Sequence, residues 1–410
     1  MRRFRAAAGR NLRTGLPLPA LAAAFCCALA LSGCGKGGAA YEAAKIFAAN
    51  SAKKITFEDA RGAFAKGRVN AITSLDRHCR IAGAAQKRLV AAAPQTRVMG
   101  VGLRIAARGK FFEITQVMRG SSAEKAGLAE GDRLLAVNGM PVAGLPAARV
   151  REMTSASSGG DVDLAVSRVL GGLERRLQFS VRREIVEVPI ATSAIYQQWA
   201  GYLRMTSFAL GSAAQARREM ADLHAAGIQA VLLDLRFNKG GLPAEAADFL
   251  RLFTGGKKTL FREISDKAAY RQSYEAGPDA QFGDVLVMVL VNGKTAGCAE
   301  IAAQSLRENT GALVAGSRTA GEGGTQRMFN LPDDKGLWMT VSYLVPPSGR
   351  AIEEAGIIPD MTITASAGDE ARIEQGWSET KYPVLNDPYF REAVKTLAAK
   401  AQQQGLKMVK

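Results

Sequence analysis

The sequence predicts an α/β chain in three parts: a helical N-terminal region, a small mostly-β module and an α/β core. Three observations carry this. Continuous apolar runs at 230–235, 285–291 and 312–315 are separated by helical stretches, the pattern of parallel strands buried on both faces. Short segments of alternating apolar and polar residues fill 98–184 and fit half-buried strands. Residues 42–97 are alanine-rich, with helical spacing and few strand signals.

Composition agrees with a folded chain of more than one domain. The 410 residues are 47% hydrophobic and 22% charged, enough apolar material for a real core. The net charge of +16 would attract nucleic acid or an anionic surface, but the basic residues are scattered among acids without a long run. Specific nucleic-acid binding is therefore not expected. His78 and His224 are the only histidines, no cluster has metal-ligand spacing, and no metal or cofactor is expected.

The first 33 residues read as a targeting segment. Arg2, Arg3, Arg5, Arg10 and Arg13 make a basic start, and 16–31 is apolar but too short and too proline-broken for a span. Leu31-Ser32-Gly33-Cys34 then resembles a bacterial lipobox. That resemblance implies cleavage before Cys34, a lipid on its thiol, and a chain held at the periplasmic face of a bacterial membrane. Residues 34–41 read as a glycine-rich tether. Of the later cysteines, Cys79 and Cys298 are far apart and favour separate thiols, with a bridge left open.

In the middle module, Phe112-Glu113-Ile114-Thr115 and 162–167 place apolar side chains on one face. Between them, a short helix stopped by Gly127 precedes a buried strand and an Asn138-Gly139 turn. Together these resemble a PDZ domain of bacterial proteases, spanning 98–184. The resemblance makes Gly100, Val101, Gly102 and Leu103 the loop whose backbone N–H groups receive a peptide's terminal carboxylate, with the peptide added as a strand beside it.

The core is read over 186–368. A helix is expected from Ser212 to Ala226, stopped by Gly227, with Ser212 and Gln215 as a capping box. Residues 369–410 read as a polar tail with one good helix, capped by Asp387, opened by Pro388 and ended by Gly405. Three stretches then define a family. Asp234-Leu235-Arg236-Phe237-Asn238-Lys239-Gly240-Gly241, Asn292-Gly293-Lys294-Thr295-Ala296-Gly297-Cys298-Ala299-Glu300 and Gly321-Glu322-Gly323-Gly324-Thr325-Gln326 resemble the core of the carboxyl-terminal processing (tail-specific) proteases. The likeness covers roughly 72–365, including Leu75-Asp76-Arg77-His78-Cys79 ahead of the PDZ-like module. It implies a core of the crotonase and Clp-protease type.

The family uses a serine nucleophile, a lysine base 25 positions on and a glutamine four beyond. Here these positions hold Gly297, Glu322 and Gln326, so the spacing is kept and both reactive groups are missing. The resemblance also gives Gly240 and Gly241 the role of oxyanion donors. Cys298, beside the empty position at a helix start, is a candidate nucleophile, since a helix N-terminus favours a thiolate. Against that, one residue along a helix turns a side chain by ~100°, and the reading as a buried core thiol is preferred. His78 is read as structural. The expectation is a degenerate protease that binds C-terminal or unfolded protein segments, alone, as an oligomer or beside an active relative. The alternative is an endopeptidase using Cys298.

Overall fold

The computed structural model describes residues 38–66, 69–84, 87, 97–155, 159–378 and 387–406. Cys34, the basic leader and most of the tether lie outside them. Among the described residues, no helix is long and apolar enough to cross a membrane.

The N-terminal region forms α1 (Ala39–Asn50), α2 (Phe57–Ala65), α3 (Val69–Thr73) and a short strand β1 (Arg80–Ala82). Thr56 caps α2 by accepting the Asp59 N–H at 3.1 Å. Phe47, Phe64 and Ile72 pack with Leu337 and Met339 of the core, so these helices form one hydrophobic unit with the domain they precede.

The second region contains β2 (Arg97–Gly100), β3 (Leu103–Arg108), β4 (Phe111–Val117), α4 (Ser122–Lys125), β5 (Arg133–Val137), β6 (Met140–Pro141), α5 (Ala147–Thr154), β7 (Gly160–Leu170) and β8 (Leu173–Glu187). The strands order as β2-β8-β7-β5-β4-β3, with β6 on β5. β3 is thus an open edge. Asn138 and Gly139 both take positive φ (49° and 76°), the conformation a tight hairpin turn demands. The core of this unit is Ile114, Leu134, Val150, Leu164 and their neighbours.

The third region runs β9 (Ala191–Tyr196), β10 (Ala200–Met205), α6 (Ser212–Ala225), β11 (Ala230–Asp234), α7 (Pro243–Leu250), β12 (Thr259–Ile264), β13 (Gln272–Glu275), β14 (Leu286–Val291), α8 (Cys298–Thr310), β15 (Leu313–Gly316), β16 (Gly324–Leu331), β17 (Lys335–Val345), β18 (Met361–Thr362), α9 (Ala367–Ser378) and α10 (Pro388–Gln403). β18-β15-β14-β11-β10-β9 make a sheet that is parallel except at β9. β11 and β14 are buried along their whole length, because helices cover both faces. On one face lie α6, α7 and α8; on the other, Tyr389, Phe390 and Leu397 of α10 close a second cluster. A second sheet orders β1-β17-β12-β13, with β16 on β17.

Two expectations are corrected here. Ser212 and Gln215 do not form a capping box. Gly211 is the cap residue, with φ 86°, and Glu245 of α7 takes the donors, accepting from Gly211 N–H (2.7 Å) and Ala213 N–H (3.0 Å). Gln215 is buried and turned to the chain between the two domains, accepting the Ile190 N–H at 2.7 Å. The tail holds two helices, not one, and α10 is part of the core.

Candidate functional site

The site lies where β11 and β14 end and α8 begins. The turn after β14 is fixed by its own side chains. Asn292 accepts the N–H groups of Phe237 and Lys294, both at 3.1 Å, and the Thr295 hydroxyl donates to the Leu235 carbonyl at 2.9 Å. Asn238 reaches the other way and donates to the Met205 carbonyl at 3.0 Å. Phe237 is held at φ 60°, an uncommon conformation for a bulky residue and a local strain that these bonds sustain.

Gly297 sits at φ 57° and ψ −125° immediately before α8. It is a sharp strand-to-helix turn of the kind that presents a nucleophile. A Cβ placed there would find the Lys239 carbonyl oxygen at 3.5 Å and the Glu322 carbonyl oxygen at 3.7 Å, ordinary contact distances. The position has room for a side chain and carries none. The sequence-predicted partners therefore do meet: Gly297, Gly240 and the Glu322 backbone surround one point. The Glu322 side chain is exposed. Gln326 is turned onto Trp338, whose Nε1 donates to its Oε1 at 2.5 Å.

Gly240 and Gly241 are glycines for steric reasons. A Cβ on Gly240 (φ 87°) would lie 2.7 Å from the Cys298 nitrogen, and one on Gly241 (φ 146°) 2.4 Å from the Phe208 oxygen. Their amides differ from the expectation. The Gly240 N–H is consumed by its own loop, donating to Asn238 Oδ1 at 2.8 Å, so it is not an oxyanion donor in this conformation. Among the described residues, the N–H groups of Gly241 and Cys298 donate to no protein acceptor. These two are available to a peptide carbonyl, and the second belongs to a residue that sequence reasoning considered only for its thiol.

That thiol points inward. Cys298 is buried and its Sγ donates to the Gly241 carbonyl at 3.2 Å. Burial, with the Glu263 carboxylate second, pushes its pKa up to about 12, opposite to the lowering expected at a helix start. Cys79 is a separate buried free thiol.

Glu300 is the organising residue that the sequence reading missed. Fully buried in the first turn of α8, it accepts from Gly297 N–H (3.0 Å), Gly321 N–H (2.8 Å), Glu322 N–H (2.9 Å) and the Thr319 hydroxyl. Burial raises its pKa, and these four hydrogen bonds oppose the rise. A glutamate three residues after a helix-start residue was the available signal. A second clamp comes from the N-terminal region. Arg77 donates to the Gly321 carbonyl at 2.5 Å, and Arg77 and His78 both reach Glu353 Oε1, at 2.7 and 3.0 Å. Glu353 Oε2 in turn accepts the Gly324 N–H at 2.9 Å. His78 thus braces the 321–324 loop.

The PDZ-like loop lies in a different sheet. Gly102 (φ 86°) passes so close to Ser121 that a Cβ would fall 2.1 Å from the serine Cβ. The carbonyls of Val101 and Gly102 turn inward, accepting Ala123 N–H (3.1 Å) and Met118 N–H (2.8 Å). Leu103 faces Val117 across β3 and β4. Since the neighbouring bond is Met118 to Gly102, this is a non-hydrogen-bonded pair, and the Leu103 N–H faces the open edge. Val101 is buried, Gly100 abuts the Thr154–Ser155 end of α5, and α5 flanks that edge.

This pairing of a strained helix-start turn with a glycine loop, beside a module with an open strand edge, defines a peptidase-type architecture. Residues 200–363 match the model for peptidase family S41 and residues 90–167 that for the PDZ domain. Residues 200–363 thus carry a peptidase S41 domain, and a PDZ domain precedes it. It is 28% identical over 289 residues to carboxyl-terminal-processing peptidase 3 of Arabidopsis thaliana, covering 68% of this chain and 56% of that protein. With a carboxyl-terminal-processing protease of Synechocystis it shares 29% over 270 residues, 64% of this chain and 62% of the relative. The match thus spans little more than half of each relative's length. A solved S41 protease from Bacteroides fragilis superimposes with a TM-score of 0.53 at 17% identity, covering 88% of this chain and 97% of the other. That likeness concerns the fold.

Proposed function

We propose that the chain is a catalytically degenerate member of its family that holds C-terminal or unfolded protein segments at the cell envelope. The observation that carries this is Gly297: the nucleophile turn has space for a side chain and has none, while the Glu322 side chain stands in solvent. Loss of the nucleophile in a hydrolase of this logic costs about 10⁶-fold in rate. What remains is suited to binding. The outward Leu103 N–H and the open edge of β3 can take a peptide as an added strand. The unpaired N–H groups of Gly241 and Cys298 can grip one of its carbonyls. Lipid attachment at Cys34 and the periplasmic face of a bacterial membrane complete the reading, with a second copy or an active relative as companion.

The alternative, cleavage by Cys298, requires the thiol to leave its hydrogen bond beneath Gly241 and to ionise against burial. One assay separates the two. A loosely folded protein with an apolar C-terminal tail is offered to the native chain, to Cys298→Ala and to Gly297→Ser/Glu322→Lys. The expected outcome is binding without cleavage by the first two, and measurable cleavage by the double variant. Turnover by the native chain that disappears in Cys298→Ala would overturn the proposal.

A further inference from the structure

Where β7 turns into β8, the ribbon outruns its sheet. β5 accompanies β7 only to Ser167, opposite Arg133, and β2 joins β8 only over 184–187. β7 and β8 nevertheless stay paired to Leu170 opposite Leu173. Three residue pairs therefore project beyond the sheet, about 10 Å at ~3.3 Å per residue. Gly171 and Gly172 close the turn with φ of 59° and 80°, a tight hairpin in register.

The tip is apolar. Val169, Leu170 and Leu173 are 69%, 44% and 65% exposed, a concentration that the fold itself does not use. Immediately behind it, Arg175 and Arg176 are exposed and form no hydrogen bond or ion pair among the described residues. The other charges there are already engaged. Arg168, opposite Arg175, is held by both oxygens of Asp132, at 2.6 and 2.7 Å. Glu174 accepts from the Ser167 hydroxyl and lies 4.0 Å from Arg133.

We propose that this hairpin is a membrane-contact site: Val169, Leu170 and Leu173 enter the interfacial layer of an anionic bilayer, and Arg175 and Arg176 meet its phosphate groups. Three fingertip side chains are far short of the roughly 800 Å² per partner that a stable protein interface buries. A lipid surface demands no matching groove. It rewards a small apolar insertion backed by basic side chains, whose long stems let the charged heads stay at headgroup level. The formal charge of +16 adds attraction of the same sign. The inference stands apart from the lipobox, although a lipid at Cys34 and this tip together would make two weak attachments act as one. The peptide-receiving loop follows β2, which pairs with the opposite end of β8 at 184–187, so contact of the tip with a membrane does not block it.

The test uses the full chain with Cys34→Ser, which removes any acyl group, and Leu173→Trp, which places a reporter at the tip. The native tryptophans are subtracted with a control chain lacking only the tip substitution. Vesicles of phosphatidylglycerol with phosphatidylethanolamine are compared with phosphatidylcholine alone. The expected result is a blue-shifted tip emission, quenched by brominated acyl chains, on the anionic vesicles only. Arg175→Gln/Arg176→Gln should weaken the tip signal about 30-fold. The apolar leader can carry the chain to vesicles by itself, but the reporter then stays unshifted, and that outcome overturns the proposal. A blue shift that grows with protein concentration without lipid would assign the tip to a second copy and overturn it equally.

Discussion

Gly240 and Gly297 both have positive φ, yet they answer to different constraints, and alanine separates them. At Gly240 the added carbon would sit 2.7 Å from a backbone nitrogen of the neighbouring segment, which cannot move without opening the site. Gly240→Ala should cost about 3–4 kcal/mol, combining overpacking with a strained φ. At Gly297 the nearest atom is 3.5 Å away, so only the conformational term applies, about 1–2 kcal/mol. Denaturant midpoints of the two variants should differ accordingly; equal losses would contradict the room inferred at Gly297. Cys298 makes a pH prediction. Its folded pKa is raised to about 12 from 9.0, so above pH ~9 the unfolded thiol ionises while the folded one keeps its proton. Stability should therefore fall as pH rises from about 9 towards 12, by up to about 1.4 kcal/mol per unit from this group, and Cys298→Ala should remove that share. Buried Cys79 and, above pH ~10, Tyr202, Tyr274, Tyr343 and Tyr389 are shifted upward by burial too and add to the slope. A slope unchanged in Cys298→Ala would mean that the thiol is more accessible than its contacts indicate.

At the level of elements, α10 is joined to the site by a buried charge cluster. Arg236 follows β11 and bonds Asp234 (2.6 Å) and Asp387 (2.8 Å), while the Tyr202 hydroxyl donates to Asp234 at 2.8 Å. Asp387 also caps α10, accepting from Tyr389 N–H (2.9 Å) and Phe390 N–H (3.3 Å). Asp387→Ala would remove the cap and leave Arg236 short of a partner. Amide exchange along 389–403 should rise on the order of 100-fold, with the first half of α6 unaffected. Uniform acceleration in both helices would instead indicate that the core opens as one unit. The cap itself was legible, because Asp-Pro before an amphipathic run is a local signal; so were the parallel strands, whose apolar runs have no polar face. The Arg236–Asp387 bond was not, since no local pattern marks partners so far apart. The same holds for Glu300 and for Glu245, whose carboxylate serves the start of another helix. At the site, the family resemblance and its motif spacing paired Gly297 with Glu322, whereas the inward turn of the Gly240 amide depends on Asn238 in three dimensions. The Ser212–Gln215 pattern misled because Gln215 found better partners in the inter-domain segment than in its own helix end.

For the molecule as a whole, the question is what fixes the PDZ domain against the core. β8 leaves the one and reaches β9 of the other through a short segment after Glu187. That segment is held from α6 by one buried side chain. Gln215 Oε1 accepts from Ile190 N–H (2.7 Å) and Ala191 N–H (3.3 Å), and its Nε2 donates to the Val188 carbonyl (3.0 Å) and Glu187 Oε1 (3.1 Å). Beside it, Met118 and Arg119 face Ser193, Glu219 and Asp222 across a cleft of about 760 Å³, so the direct contact between domains is sparse. Ion pairs join Arg119 to Asp222 at 3.1 Å, with side chains 85% and 61% exposed, and Arg218 to Glu187 at 2.9 Å, with side chains 59% and 48% exposed, and such exposed pairs contribute little. Gln215 therefore carries the orientation. Gln215→Ala would strand buried backbone groups, at about 1–3 kcal/mol, and free the segment to pivot. With probes on exposed positions of the two domains, the inter-domain distance distribution should broaden in Gln215→Ala and stay narrow in Arg119→Ala, while the melting of each domain's own sheet is preserved. If the reverse held, the exposed bridge would be the latch and the linker glutamine only a packing residue. If neither variant broadened the distribution, orientation would be set by the β8–β9 backbone itself, and a peptide docked on β3 would be carried as a rigid extension of the core.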